Sequence, residues 1–243
     1  MIFIKLICLG SSSSGNCYLL ENATECLMIE CGIPIKEVKK AMNFNMRKIV
    51  GCIASHGHQD HIHCLEDVLK CGIPIYTNDE TVESVEVIYG ELLHGVPEKK
   101  PFMLGNFKIT PFYVPHDNTP CFSYQIYHEE IGKLLFLTDL EYCKYRFKDV
   151  SQILVEANYS KDIINQDNPN FEHVTRGHME LNTTLGFLCT NDNPSLMNVV
   201  LLHLSDSNSN SEYFSQKVKE IIPRANIYVA DKGMEIELNK EPF

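Results

Sequence analysis

ASHGHQDHIHCLEDVLK, residues 54–70, carries His56, His58, His61 and His63 with one carboxylate, Asp60, among them. Such a stretch can be a metal centre, a cluster of general bases, or a polar turn opening a helix with Asp60 near its positive end. The spacing favours metal. His56, His58, Asp60 and His61 make the pattern H-x-H-x-D-H. Imidazoles two residues apart in a loop can face one side, and a following turn can send Asp60 and His61 to another. One short loop can then serve two neighbouring ions, for which neutral imidazole and carboxylate are suitable donors. His63 lies beyond the pattern, early in the helix expected over 62–70, and reads as a surface or supporting residue.

Short apolar runs alternate with amphipathic ones along the chain. Strands are expected over 2–9, 17–22, 26–30, 49–54, 107–114, 122–128, 133–140, 151–157, 198–204, 226–230 and 234–238. Helices are expected over 34–42, opened by Pro34, and over 181–189 and 211–222. The run GSSSSGN (10–16) marks a tight turn. It lacks the flanks of a serine nucleophile and suits backbone support of the metal loop, or contact with a substrate phosphate. Polar residues recur at strand ends: His56 after CIAS, His116 after FYVP, Asp139 after LLFLT and His203 after VVLL. Loops at one end of the strands of a layered α/β protein share a face, so these clusters can converge. An Asp leaving a strand as apolar as the one before Asp139 calls for a cation.

Bulk properties set the frame. The 243 residues are 44% hydrophobic and 22% charged, which is globular composition and enough chain for a large core. We expect one domain over 1–243. Net charge is −11 and no Lys/Arg-rich run is present, which excludes broad coating of nucleic acid but not a small cationic site built from metal ions. The ten cysteines include no C-x-x-C pair and read as buried free thiols. MIFIKLICLG reads as a first strand rather than a signal peptide, and no run reaches the length of a membrane span. A cytoplasmic protein with no membrane partner is expected.

H-x-H-x-D-H after an apolar strand, followed by His, Asp and His at strand ends, resembles the ligand series of the metallo-β-lactamase superfamily. The resemblance implies a four-layer αββα sandwich with a dinuclear site. It implies that His56, His58 and His116 hold one metal, that Asp60, His61 and His203 hold the other, and that Asp139 bridges them. LGSSSSGNCYLLE, IASHGHQDHI, VPHDNTPCFSY, TDLEYCKYRFKDV and LLHLSDSNSN are similar to the nuclease-like YycJ/WalJ-type branch. One departure is Glu30, in MIECG, where the superfamily usually has an Asp that supports the metal loop; the longer side chain must shift that support.

This resemblance implies a hydrolase using two divalent ions, zinc first, with manganese and iron also suited to the donors. A water or hydroxide shared by the metals would attack a phosphodiester, with single-stranded DNA or RNA as candidate substrates. Asp60 is expected to be essential to turnover. Glu156 and His178 resemble a pair that handles the leaving-group proton in ribonuclease Z and related nucleases. The alternatives are a thioester or lactone hydrolase of the same fold, and a metal-binding module without catalysis.

Overall fold

A computed structural model describes residues 3–165, 167 and 171–240, without the side chain of His173. The first sheet takes β1 (Ile4–Ser12), β2 (Gly15–Glu21), β3 (Cys26–Ile29), β4 (Ile49–Ile53), β5 (Ile75–Thr77) and β6 (Leu93–Gly95) in spatial sequence. The chain then crosses to a second sheet, built from β7 (Phe102–Leu104), β8 (Phe107–Val114), β9 (Cys121–His128), β10 (Gly132–Leu137), β11 (Val150–Glu156), β12 (Asn198–Leu202) and β13 (Asn226–Val229). β14 (Glu235–Leu238) returns to pair antiparallel with β1.

Period-two alternation explains how the sheets stack. In β2, Tyr18 and Leu20 enter the core between the sheets, whereas Cys17 and Leu19 face outward. In β10, Leu134 and Phe136 point inward, whereas Leu135 and Leu137 face the opposite layer. Both faces of these strands are covered, so they read as continuous apolar runs. α1 (Ile35–Ala41) and α3 (Leu65–Lys70) cover the first sheet through Val38, Leu65, Val68 and Leu69. α6 (Leu181–Asn191) and α7 (Ser211–Ile221) cover the second through Phe187, Leu188, Phe214 and Val218. The result is the expected αββα sandwich.

Local differences have physical causes. The single helix expected over 62–70 is broken: α2 (Gln59–Ile62) precedes α3, with His63 and Cys64 between them. Cys31 holds this break, donating its N–H to His61 O at 2.8 Å and accepting from Cys64 N–H at 2.9 Å. The turn expected over 10–16 shrinks because β1 runs to Ser12 and β2 begins at Gly15. Three-residue strands β5, β6 and β7, and the helices α4 (Asp79–Ser84) and α5 (Phe171–Gly177), were not expected; they are too short to show a period. Most cysteines are buried free thiols, with Cys189 exposed. No described helix is long and apolar enough to cross a membrane.

Two consequences are testable. A Cβ on Gly32 would lie 1.8 Å from the Asp60 carbonyl oxygen and 2.9 Å from the Asn16 nitrogen, both backbone atoms. Gly32→Ala should therefore cost about 1–3 kcal/mol or more in urea unfolding and displace the Asp60 turn. Glu25 accepts from Asn106 N–H at 2.9 Å, from the Asn106 amide at 2.7 Å and from His128 Nε2 at 3.2 Å. Burial pushes its carboxyl up, but these bonds outweigh burial and hold it below its ordinary value of 4.5. The stabilisation is present above that value and is lost as pH falls through the lower, folded-state value. Glu25→Gln should therefore lose less stability than the parent chain between pH 6 and pH 3 in matched urea titrations.

Candidate metal centre

Each chemically marked side chain leaves the fold at the end of a strand or helix. The chain exits β4 into Ala54 and Ser55, then His56; His58 is the N-cap residue of α2, which carries Asp60 and His61. His116 follows β8, Asp139 follows β10, Glu156 ends β11 and His203 follows β12. His178 follows α5, not only preceding α6 as expected. Asp139 (φ 48°) and His203 (φ 52°) adopt the left-handed region, turning the chain sharply at each strand end. Residues without glycine's freedom persist there only where the surroundings hold them.

All seven side chains of the expected series meet. One ligand atom from each of His56, His58, His116 and Asp139 lies within 4.8 Å of the others, as does one from each of Asp60, His61, Asp139 and His203. Asp139 belongs to both groups. Its Oδ2 lies 3.1 Å from His61 Nε2 and 3.8 Å from both His56 Nε2 and His116 Nε2, while its Oδ1 lies 3.8 Å from His203 Nε2. Asp60 Oδ2 lies 3.2 Å from His61 Nε2 and 3.4 Å from His203 Nε2. His63 is exposed and reaches only Gln59 by side-chain contact among the described bonds.

The donor chemistry fits divalent cations. His116 Nδ1 lies 2.6 Å from the Gly177 carbonyl, which can only accept, so the ring proton sits there and the Nε2 lone pair faces the cluster. His56 Nε2 is buried with no hydrogen-bond partner, an arrangement that costs free energy unless a cation takes the lone pair. Burial holds His56 and His58 below the ordinary imidazole range, reinforced by neighbouring histidines. Across the site, burial opposes the charged forms of His61 and His203 but is outweighed, chiefly by Asp139, and His203 rises to about 10. Asp60 and Asp139 are held below the carboxylate range, where their histidine partners outweigh burial. One half thus presents neutral lone pairs, and the other balances carboxylates with protons that a divalent ion can replace.

Glu156 and His178 stand beside this cluster. Glu156 Oε1 lies 2.7 Å from His178 Nδ1 and 3.3 Å from His203 Nδ1, while Oε2 accepts from Leu140 and Met179 N–H at 3.0 and 3.1 Å. The His178 and His203 rings stack with centroids 5.2 Å apart. Asp139, Glu156, His178 and His203 form a third group within 4.8 Å, so geometry alone does not separate this pair from the ligand set. Glu30, fully buried with φ 62°, accepts from Ser55 N–H at 3.2 and 3.3 Å and lies 3.4 Å from His61 Nδ1.

Several supporting residues escaped the sequence reading. Asn16 Nδ2 lies 3.2 Å from Asp60 Oδ2 and 3.3 Å from His61 Nε2. Asn158 donates to the His203 carbonyl at 2.8 Å, and Asn78 to the Ser55 carbonyl at 3.0 Å. Single Asn and Ser residues carry no spacing signal. Ser11 supports the site as a scaffold, accepting from His203 N–H at 2.9 Å and from Tyr18 O–H at 2.7 Å. A hollow of about 300 Å³ opens at His178 and His203, lined also by Ser12, Ser13, Asn158 and Asn208. Another of about 450 Å³ reaches His116 between Tyr113, Thr119 and Glu141.

Comparison with known proteins agrees with this architecture. The chain is 23% identical over 246 residues to exodeoxyribonuclease YycJ of Bacillus anthracis, covering 92% of this chain and 90% of that one. It is 24% identical over 251 residues to exodeoxyribonuclease WalJ of Streptococcus pneumoniae, covering 94% and 91%. The metallo-β-lactamase fold protein YhfI of Bacillus subtilis superposes with a TM-score of 0.70 at 18% identity, covering 97% of this chain and 99% of that one. A family model for the β-lactamase superfamily domain matches residues 34–203, more than half of the chain, and this protein belongs to that superfamily, with the metallo-β-lactamase fold.

Proposed function

We propose that this chain, acting as one domain over 1–243, is a two-metal phosphodiesterase that works as a nuclease. The observation that carries the reading is the pair of four-residue donor groups sharing the buried carboxylate of Asp139. His56, His58, His116 and Asp139 would hold one ion; Asp60, His61, His203 and Asp139 would hold the other. The mixed imidazole and carboxylate donors suit zinc first, with manganese and iron also compatible. When bound, two such ions supply Lewis acidity, an activated water and charge neutralisation at a phosphoryl group. The exodeoxyribonuclease relatives support a phosphodiester substrate, with single-stranded DNA or RNA as the candidates.

The chain's own residues supply the rest. Glu156 accepts from His178 Nδ1, orients the ring and holds it against His203 at the mouth of the hollow. His178 is thereby placed to donate a proton to a leaving oxygen. Glu156 meets His178, His203 and two backbone N–H groups at once, so it is a positioning residue. A chain of net charge −11 would attract a polyanion through ions held at the site rather than through its surface.

Asp60→Ala should keep the fold, since the side chain lies at the rim of the cluster, and should lower turnover of an oligonucleotide on the order of a thousandfold, matching the several kcal/mol that metal assistance supplies. Circular dichroism and a fluorogenic cleavage assay check both parts. Full activity in that variant, or in metal-stripped protein, would sink the proposal. His178→Ala should lose about 10²–10⁴-fold on an oligonucleotide, whose leaving alkoxide needs a proton, and little on a 4-nitrophenyl phosphodiester, whose leaving group does not. Equal activity on both, with fast cleavage of thioesters or lactones, would instead favour a carbonyl-ester hydrolase.

A further inference from the structure

His56 and His61 belong to different donor groups, yet their Nδ1 atoms converge on one hydroxyl. Ser55 Oγ lies 2.9 Å from His56 Nδ1 and 3.4 Å from His61 Nδ1. All three side chains are fully buried. Ser55 is anchored through its backbone from three directions. Its N–H donates to Glu30, at 3.2 and 3.3 Å to the two carboxylate oxygens. Its carbonyl accepts from Phe122 N–H at 2.9 Å and from the Asn78 amide at 3.0 Å.

An imidazole binds a cation through the nitrogen that lacks hydrogen, so the other nitrogen must carry the proton and find an acceptor. On His56 the partnerless Nε2 faces Asp139, and on His61 Nε2 faces Asp60 and Asp139. Both rings therefore need an acceptor at Nδ1, and His61 has two at 3.4 Å, Ser55 Oγ and Glu30 Oε2. His116 has the Gly177 carbonyl, and His203 has Glu156. His56 has Ser55 Oγ and, at 3.6 Å, the Cys121 sulfur, a weak acceptor. A hydroxyl oxygen has two lone pairs and can accept from two rings at once.

We infer that Ser55 is a positioning residue common to both metal subsites: its hydroxyl oxygen holds His56 and His61 with the proton on Nδ1 and so aims both Nε2 lone pairs into the cluster. The inference rests on the two-ion reading above. It separates Ser55 from Glu30, whose carboxylate approaches the ring of His61 alone among the described ion pairs of the cluster.

The test is zinc titration of the stripped chain against a chromophoric chelator, paired with nitrogen-edited NMR of the histidine rings. Ser55→Ala should weaken zinc at both subsites by about 10–100-fold. Ser55→Thr, which keeps the hydroxyl, should restore both, and Glu30→Gln should weaken one. In the zinc-loaded parent chain, His56 and His61 should carry hydrogen on Nδ1 and metal on Nε2. Unchanged affinity in Ser55→Ala, or a loss confined to one subsite, overturns the shared role. So does a parent spectrum with hydrogen on Nε2 of either ring, a result independent of whether Ser55→Ala folds. A parent chain that binds no zinc, manganese or iron refutes the two-ion reading itself, whereas a parent that binds two ions as tightly as Ser55→Ala refutes only the role of Ser55.

Discussion

The carboxylate of Asp139 is the constraint around which the site is arranged. It is only 2% exposed and has imidazoles of both donor groups within 3.8 Å. A carboxylate so placed needs positive charge, whether from protons on His61 and His203 or from ions between the rings. Each donor group draws on both sheets: His56 to His61 follow β4 of the first, and His116, Asp139 and His203 follow strands of the second. The sheets must therefore meet with those strand ends aligned. The interdigitated core of Tyr18, Leu20, Ile29 and Ile53 against Phe122, Tyr124, Phe136 and Leu154 sets that alignment. Packing specificity and site geometry are thus one problem, because sliding one sheet against the other would separate Asp139 from His61.

Three of the nine described non-glycine residues with positive φ sit where this constraint acts. Glu30, Asp139 and His203 each directly follow or lie within two residues of a strand and adopt φ of 62°, 48° and 52°. A left-handed non-glycine residue costs about 1–3 kcal/mol and survives only when its surroundings determine it. Each is so determined. Glu30 is held by Ser55 and by its own N–H to Ile53 O at 2.8 Å, and His203 by Ser11 and Asn158. In Asp139 the neighbouring Thr138 hydroxyl donates to Oδ1 at 3.0 Å, and the next residue, Leu140, donates its N–H to Glu156.

How much of this was legible in the sequence follows from which interactions leave a local pattern. The H-x-H-x-D-H spacing and the polar residue after each apolar strand are local, and they led to the convergence of His56, His58, Asp60, His61, His116, Asp139 and His203. Long apolar strands and α7 were legible because burial imposes a period. β5, β6 and β7 span three residues each and show none. The break between α2 and α3 was hidden because Cys31, 33 positions before Cys64, causes it through backbone bonds that no side-chain pattern announces. Asn16, Asn78 and Asn158 were hidden for the same reason: their partners at the site lie 23–45 residues away along the chain. Ser55 was hidden because a single Ser before a histidine carries no pattern of its own.

Glu30 shows how such hidden partners bear on the site. Here the left-handed turn at Glu30 leaves both oxygens level with Ser55 N–H while one approaches His61 Nδ1 at 3.4 Å, a distance longer than a strong hydrogen bond. The carboxylate is thus shared between the backbone of Ser55 and the ring of His61. Support for His61 is then divided between this carboxylate and the Ser55 hydroxyl, each 3.4 Å from Nδ1, and the hydroxyl also meets His56. Ser55 thus stands between the two donor groups, its backbone N–H on Glu30 and its Oγ 2.9 Å from His56 and 3.4 Å from His61.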